Sequence, residues 1–344
     1  MSVDINSLVR RNVLNLKPYS SARDEFQGNA SIFLDANENP YPTKYNRYPD
    51  PHQLKLKSII AKIKEVKPEQ IFLGNGSDEP IDLLIRAFCE PGTDNVLIPQ
   101  PTYSMYTVSA EINAVEIKTV NLTSEYDIDL AATEQTWNER TKLLFLCSPN
   151  NPSGNLLSKN KIELLLQNFS GLVVVDEAYI DFTDYPGFLP LLNQYNNLVV
   201  LQTLSKAWGL AGIRLGMCFS NVEVIKVLNK IKPPYNINIL TQNIAEKSLM
   251  ETERKQYQVK ELKTQREILR SGLSQIKIVE KVYPSAANFL LIKVKDAKTT
   301  YSLLVAKGIV TRDRSNIILC NNCLRITVGT PTENKVLLDE LKEL

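Results

Sequence analysis

The sequence predicts a two-domain α/β fold, in which a large domain with a mostly parallel sheet flanked by helices is joined to a smaller α+β domain. Three observations favour this class: a length of 344 residues, an alternation of short apolar runs with helical patterns between about residues 50 and 230, and a change to a long charged helical pattern after Pro233 and Pro234. A chain of this length is too long for one small core. We place the large domain at residues 31–236, and the small domain with an N-terminal arm at residues 1–30 and 237–344.

The predicted strands of the large domain are nearly continuous apolar runs. Such runs are typical of strands that are buried on both faces of a parallel sheet. They occupy residues 95–98, 142–147, 171–176 and 198–202. Helical periodicity precedes and separates them, with a first apolar face at Leu56, Ile59, Ile60 and Ile63 and a crossover helix near residues 161–167.

The second half of the chain has a different pattern. A long charged stretch over about residues 237–272 predicts a helix that joins the two domains, and it is followed by strands near 288–294 and 324–328 with a helix between them. The first 30 or so residues have no strong pattern. We expect them to pack against the smaller domain or to cross its cleft.

Composition excludes several classes of partner. The 40 basic and 38 acidic residues give a formal net charge of +2, so no overall field favours nucleic acid or an anionic membrane. The N-terminus lacks the apolar stretch of a signal peptide, and no run approaches membrane-spanning length. We therefore expect a cytoplasmic protein that acts on small molecules. Because His52 is the one histidine, acid–base chemistry must use Lys, Tyr, Asp, Glu or Cys.

Five cysteines at scattered spacings argue against a disulfide framework. Cys320 and Cys323 have the spacing of a zinc or redox pair. Zinc normally takes four ligands, however, and the sequence has no second cysteine pair. We therefore predict no metal site and interpret the pair as two thiols near a turn that precedes a strand.

Four local features lie where predicted strands end, which is the place at which open α/β sheets bind ligands. Residues 73–80 place glycines before a helix start, where unpaired N–H groups can bind an anion. Residues 148–154 form a loop rich in proline and asparagine, and Asp176 ends an apolar run. Each of these three also has an ordinary interpretation, as a strand–turn–helix connection, a plain turn or a helix cap.

The fourth feature is the segment 203–216, in which Lys206 and Arg214 lie eight residues apart. A lysine among small residues after a strand is expected to be partly desolvated, and this would lower its pKa and make it a Schiff-base nucleophile. A solvated loop lysine is the alternative. The four features together have the order that a pyridoxal-5′-phosphate (PLP) enzyme needs, because PLP requires an amine partner, a carboxylate at its ring nitrogen and a phosphate cradle.

Over nearly its whole length the sequence resembles the fold-type-I PLP-dependent aminotransferases. The stretches that carry this resemblance are residues 16–19, 35–40, 47–51, 74–79, 149–154, 175–179, 203–206, 212–216 and 324–329. Within the family the chain is similar to the branch that exchanges an amino group between glutamate and imidazole-acetol phosphate, whose amine is histidinol phosphate. Aromatic aminotransferases and threonine-phosphate decarboxylases remain alternatives within the family.

The resemblance implies a role for each matching residue of the cofactor site. Lys206 is similar to the Schiff-base lysine that also moves the substrate proton, and Asp176 is similar to the partner of the pyridine nitrogen. Asn151 and Tyr179 resemble the pair that binds the PLP 3′-oxygen, and Tyr103 resembles the ring that stacks on the cofactor. The residues similar to the phosphate cradle are Ser77, Asp78, Thr203, Ser205 and Arg214.

The resemblance also implies substrate ligands and a partner chain. Arg325 resembles the arginine that clamps the α-carboxylate of glutamate, and it would meet the phosphate of the other substrate. Arg312 and Tyr19 are similar to additional anion ligands, and a solvated surface arginine is the alternative for Arg312. Tyr48 is similar to a tyrosine that the neighbouring subunit contributes, so we expect a homodimer with a shared active site.

Two classes outside this family fit the sequence less well. A non-catalytic PLP-binding regulator would need a DNA-binding module, and the charge pattern provides none. A dinucleotide-dependent oxidoreductase would need a Gly-x-Gly-x-x-Gly motif after a strand, which the sequence lacks.

Overall fold

The computed structural model describes residues 3–20, 25–26, 28 and 30–344. The strands of the larger sheet are β1 (Ile71–Asn75), β2 (Asn95–Gln100), β3 (Glu116–Asn121), β4 (Thr141–Cys147), β5 (Leu172–Asp176), β6 (Leu198–Thr203) and β7 (Leu215–Ser220). Their order in the sheet is β1-β7-β6-β5-β4-β2-β3. The four apolar runs predicted as strands are confirmed as β2, β4, β5 and β6.

Strand β7 is the exception to the parallel arrangement. It runs antiparallel to both of its neighbours, β1 and β6, whereas the pairs from β6 through β3 are parallel. The loop from β6 to β7 therefore begins and ends at the same edge of the sheet, and β1 has the same direction as β6. As a result, the carboxyl ends of β1, β4, β5 and β6 and the start of β7 all meet at one edge.

Helices cover both faces of this sheet. They are α1 (Ile5–Leu8), α2 (Arg11–Asn15), α3 (Leu54–Lys64), α4 (Asp78–Phe88), α5 (Met105–Ile112), α6 (Leu130–Thr136), α7 (Lys159–Asn168), α8 (Val222–Ile231) and α9 (Ile239–Leu249). Alternate strand residues belong to two different cores: Leu144 lies in one with Ile60, and Phe145 lies in the other with Leu84. Burial on both faces explains why the strand sequences are apolar without alternation.

A smaller antiparallel sheet lies in the C-terminal part of the chain. Its strands are β8 (Val279–Val282), β9 (Phe289–Val294), β10 (Arg312–Asp313) and β11 (Cys323–Thr327), in the order β10-β11-β9-β8, and its helices are α10 (Thr252–Leu273), α11 (Ala297–Ala306) and α12 (Pro331–Lys342). Leu324 and Ile326 pack with Leu269 and Leu273 of α10 on one face. Since side chains alternate along a strand, Arg325 lies on the opposite face.

The single long helix predicted over about residues 237–272 is wrong. The chain forms two helices there, α9 and α10, separated at Met250 and Glu251, because the backbone of Glu251 is not helical (φ −97°, ψ 49°). Helix α9 packs against α3, and α1 and α2 pack against α8. Ile5, Val9 and Val13 lie in a core of the large sheet, so the expectation that the first residues pack against the smaller domain or cross its cleft is wrong for residues 3–15. The division into domains at residue 236 stays a prediction.

Within the described part of the chain, no helix is long and apolar enough to cross a membrane. The same residues bring no three histidine, cysteine, aspartate or glutamate side chains together as metal ligands. All five cysteines are buried thiols without a disulfide. Cys320 and Cys323 belong to the larger hydrophobic core, where their side chains serve packing.

Candidate active site

One pocket lies at the edge of the large sheet where the strand ends meet. Its walls contain every predicted cofactor ligand except Tyr48: Ser77, Asp78, Tyr103, Asn151, Asp176, Tyr179, Thr203, Ser205, Lys206 and Arg214. The reversed strand β7 is one cause of this convergence, because it returns the loop that carries Lys206 and Arg214 to the edge at which β5 presents Asp176.

Asp176 is a buried carboxylate with a fixed orientation. Its Oδ2 accepts a hydrogen bond of 2.7 Å from the Tyr106 hydroxyl, and its Oδ1 accepts one of 3.0 Å from the Ala178 N–H. Burial raises the pKa of Asp176 to about 6, against the opposing effect of these hydrogen bonds. A cation bound in the pocket would therefore favour the charged form of this carboxylate.

Tyr106 is a site residue that the sequence analysis missed. It is fully buried, and its ring stacks on Phe145 with centroids 4.8 Å apart. Desolvation and the nearby Asp176 charge hold the pKa of Tyr106 well above its ordinary value, so the hydroxyl stays a neutral donor. Its partner is 70 residues away along the chain, and no local pattern marks that contact.

Lys206 lies in the loop between β6 and β7, beside Tyr179. Its Nζ is 5.6 Å from the centre of the Tyr179 ring. Desolvation lowers the pKa of Lys206, Arg325 lowers it further, and the Asp176 charge opposes both effects. The residue remains exposed to solvent at the pocket. A lysine with a lowered pKa that is open to a pocket can act as a nucleophile and as a proton carrier.

One end of the pocket is built to hold an anion. Helix α4 begins there, and its first N–H groups have no partners within the helix. The carboxylate of Asp78 accepts a hydrogen bond of 3.0 Å from the Tyr103 hydroxyl and lies 3.4 Å from Nη2 of Arg214. Because that carboxylate is already engaged, Asp78 can serve an anion through its backbone N–H. The hydroxyls of Thr203 and Ser205 lie 3.0 Å apart at the same end.

Two glycines make room for this arrangement. Gly76 has a φ of +70°, and a Cβ at this position would lie 2.4 Å from Nη2 of Arg214. A Cβ on Gly216 would lie 2.2 Å from the carbonyl carbon of Gly76. Both residues must therefore lack a side chain for the Arg214 guanidinium to reach the start of α4.

The opposite wall connects the pocket to the small sheet. Nη1 of Arg325 donates a hydrogen bond of 2.5 Å to Oδ1 of Asn151, whose Nδ2 donates to the Tyr179 hydroxyl at 3.4 Å. The Arg325 guanidinium lies 5.3 Å from the centre of the Phe289 ring. Arg312 is the direct cross-strand partner of Arg325, so the two side chains share a face, and Arg312 is exposed.

Tyr19 and Tyr48 do not line the pocket of their own chain. Tyr19 is 70% exposed. Tyr48 stacks on Tyr235 with ring centroids 4.4 Å apart, and its N–H donates a hydrogen bond of 2.6 Å to Glu38. The roles given to these two tyrosines stay predictions.

The family model for aminotransferase class I and II matches residues 33–341. The chain belongs to this family. The aminotransferase is 55% identical over 346 residues to a histidinol-phosphate aminotransferase of Cytophaga hutchinsonii, with 99% of each chain covered. The crystal structure of the histidinol-phosphate aminotransferase from Clostridium acetobutylicum superposes with a TM-score of 0.81 at 26% identity, over 87% of this chain and 91% of that one.

A second solved structure carries a ligand. The histidinol-phosphate aminotransferase from Sinorhizobium meliloti, solved in complex with pyridoxal-5′-phosphate, has the same fold with a TM-score of 0.78 at 22% identity, over 86% of this chain and 82% of that one. The predicted fold class and the resemblance to the aminotransferase family are thus confirmed for this aminotransferase.

Proposed function

We propose that this aminotransferase is a histidinol-phosphate aminotransferase, which exchanges an amino group between L-glutamate and imidazole-acetol phosphate in histidine biosynthesis. One observation carries the proposal: Arg325 joins the Lys206 pocket through Asn151, while Arg312 pairs with Arg325 on the same face. A reactive amine is thereby placed next to a doubly cationic surface. The full-length identity of 55% to a relative with that name supports the same substrate.

The residues of the pocket fit PLP as the cofactor. The start of α4, with Ser205 and Arg214, matches the phosphate in charge and in hydrogen-bond donors. The Tyr103 ring offers an aromatic face in the pocket wall, and Asp176 offers a carboxylate to the ring nitrogen. When bound, PLP supplies an aldehyde that accepts the amino group and a ring that withdraws electrons from the substrate carbon.

The side chains of this chain then have distinct tasks. Lys206 would bond to the cofactor and move a proton to and from the substrate carbon, and its lowered pKa increases the fraction of neutral amine that can do so. Asp176 would keep the ring nitrogen protonated, with Tyr106 holding the carboxylate in position. Tyr179, whose pKa is raised by desolvation, would act as a neutral donor.

Substrate binding is assigned to the arginines. Arg325 would bind the α-carboxylate of glutamate in one half-reaction and the phosphate of histidinol phosphate in the other, because guanidinium forms bidentate bonds with both groups. Arg312 would add a second cation for the phosphate, and Tyr19 would add a neutral donor. A neutral aromatic amino acid has no group that needs the second cation.

We further propose that the active form is a cytoplasmic homodimer in which Tyr48 enters the partner's site. Tyr48 lies outside the pocket of its own chain, on a segment whose large apolar side chains are exposed. Exposed apolar side chains that cluster on one segment mark a protein contact surface. They are Ile32, Leu34, Tyr41 and Tyr45.

A substrate panel on the purified, PLP-loaded enzyme tests the proposal. We expect histidinol phosphate with 2-oxoglutarate to give glutamate at a kcat/KM at least about tenfold above that of phenylalanine, since the phosphate gains charge-assisted bonds. Threonine phosphate should release no carbon dioxide. Turnover of phenylalanine but not of histidinol phosphate would assign an aromatic aminotransferase, and release of carbon dioxide without a keto-acid acceptor would assign a decarboxylase.

A further inference from the structure

A third arginine, Arg314, lies beside the two that the proposed function uses. We propose that Arg314 is a specificity-determining residue that completes, with Arg312 and Arg325, a three-guanidinium site for the phosphate of the amino substrate. This inference rests on the proposed function and adds a residue to it.

The strand register places the three side chains on one face. Arg312 lies opposite Arg325, and the ladder continues because the Arg314 N–H donates a hydrogen bond of 2.9 Å to the Cys323 carbonyl oxygen. Residues two apart in a strand point to the same side. Leu324, between Cys323 and Arg325, packs into the core of the small sheet. The face that carries Arg312, Arg314 and Arg325, which we call the arginine face, is therefore turned away from that core.

The surroundings of Arg314 contain cations and no balancing carboxylate in the described part of the chain. Its Nε is buried and donates to no acceptor there. Desolvation, followed by the charges of Arg325 and Arg312, lowers the pKa of Arg314 to about 10. The carboxylate of the neighbouring Asp313 accepts hydrogen bonds from the N–H and the hydroxyl of Ser315, at 2.8 and 2.6 Å. Gathering three cations costs free energy, and a bound dianion would offset that cost.

The arginine face adjoins the reacting pocket. Nη1 of Arg325 donates a hydrogen bond to Asn151, and Arg314 lies near enough to Tyr179 for that hydroxyl to raise the pKa of the guanidinium. A phosphate carries nearly two negative charges and three acceptor oxygens, whereas a carboxylate carries one charge on two oxygens. A single bidentate guanidinium, that of Arg325, matches the two oxygens of a carboxylate, so the additional guanidinium groups are useful only to a phosphate. Arg314 should therefore discriminate between the two substrates.

Replacing Arg314 by Gln in the full-length, PLP-loaded enzyme tests this assignment. We expect kcat/KM for histidinol phosphate to fall by about 10- to 100-fold, the effect of losing one charge-assisted bond. For L-histidinol, which lacks the phosphate, and for glutamate we expect a fall below about threefold on the same principle. Arg314→Lys, which keeps the charge, should recover part of the loss. Arg254→Gln is the matched control, because Arg254 is an exposed arginine of α10 that pairs with Glu251 at 3.0 Å. This variant should leave kcat/KM unchanged for both histidinol phosphate and L-histidinol.

A binding measurement separates failure of this inference from failure of the proposed function. Inorganic phosphate is titrated into the PLP-loaded wild type and Arg314→Gln, whose thermal unfolding is compared first, and we expect its affinity to fall by about tenfold in the variant. If the wild type ignores histidinol phosphate, the proposed function fails, and a weakened phosphate affinity would still place Arg314 in an anion site. An unchanged phosphate affinity, or equal losses on histidinol phosphate and L-histidinol, would overturn the inference.

Discussion

The Lys206 pocket and the segment of residues 16–50 both carry motifs of the aminotransferase family, but the chain holds them in different ways. Side chains of the pocket come from the ends of neighbouring strands and are fixed by contacts such as the bond from Tyr106 to Asp176. Most of the described residues of that segment are exposed, Tyr19 and Tyr48 among them. The sheet fixes the position of a motif at the end of a strand. The position of a motif on an exposed segment depends instead on the partner that binds it.

Among the variants of the pocket residues, Lys206→Ala should cause the largest loss of activity. We expect transamination to fall by at least about 1000-fold, because the nucleophile and the proton carrier vanish together. The fold should persist, since the residue is exposed. Borohydride reduction of the wild type followed by peptide mapping should mark Lys206, and a label on any other lysine would end the assignment.

Asp176→Asn should reduce activity less than Lys206→Ala does. It tests whether Asp176 has a chemical or a structural role. An amide cannot keep the pyridine nitrogen protonated, so we expect kcat to fall by about 100-fold, in the range of a lost electrostatic contact in an active site. Its hydrogen bond to Tyr106 can survive, so thermal unfolding should shift little. Near-normal turnover with bound PLP would make this carboxylate a structural residue.

The surface segment is tested by mixing two inactive chains. In a heterodimer of Lys206→Ala and Tyr48→Ala chains, one of the two sites would contain both Lys206 and Tyr48, so co-refolding should restore roughly a quarter of the wild-type activity if half of the dimers are mixed. Mixed dimers without any gain would place Tyr48 in its own chain's site or in none. That result would remove the difference between the two regions.

A smaller effect concerns the buried neighbour of Asp176. Burial raises the pKa of Glu177 from 4.5 to about 7, although Gln202 and the Phe188 N–H donate to it. Its contribution to the free energy of unfolding is therefore complete below pH 4.5 and is lost as the pH rises through about 7. Relative to Glu177→Gln, which stays neutral, wild-type stability should decline by ~1–3 kcal/mol over this window.

Denaturant titrations at several pH values measure this difference. The glutamine side chain introduced at position 177 can replace the protonated acid. Oε1 of Gln202 is buried without a partner in the described structure, and after a flip of the Gln202 amide it can accept a hydrogen bond from the new side-chain N–H. Glu253→Gln, on the exposed surface of α10, is the control and should leave the profile unchanged. Parallel profiles for the wild type and Glu177→Gln would contradict the raised pKa.

Sequence reasoning succeeded where one local pattern carries the information. Strands β4, β5 and β6 are continuous apolar runs, and the residues after them were assigned to a cofactor site that the fold then brings together. It missed β3, whose half-exposed edge position gives no apolar run, and it missed Tyr106, whose partner lies on a distant strand. The place of Tyr48 cannot be found in one chain, because its predicted contact belongs to another.

The central claim is that the Lys206 pocket and the arginine face form one site for a phosphate-bearing amine. Half-reaction spectroscopy tests it most directly, by following the visible absorbance of the bound cofactor with histidinol phosphate, phenylalanine and glutamate in turn, for the wild type and for Arg312→Ala. Glutamate and histidinol phosphate should both react with the wild type. The loss in Arg312→Ala should be at least about tenfold greater for histidinol phosphate than for phenylalanine. Equal losses on the two amines would make Arg312 structural, and a wild type that reacts with phenylalanine but ignores histidinol phosphate would contradict the account.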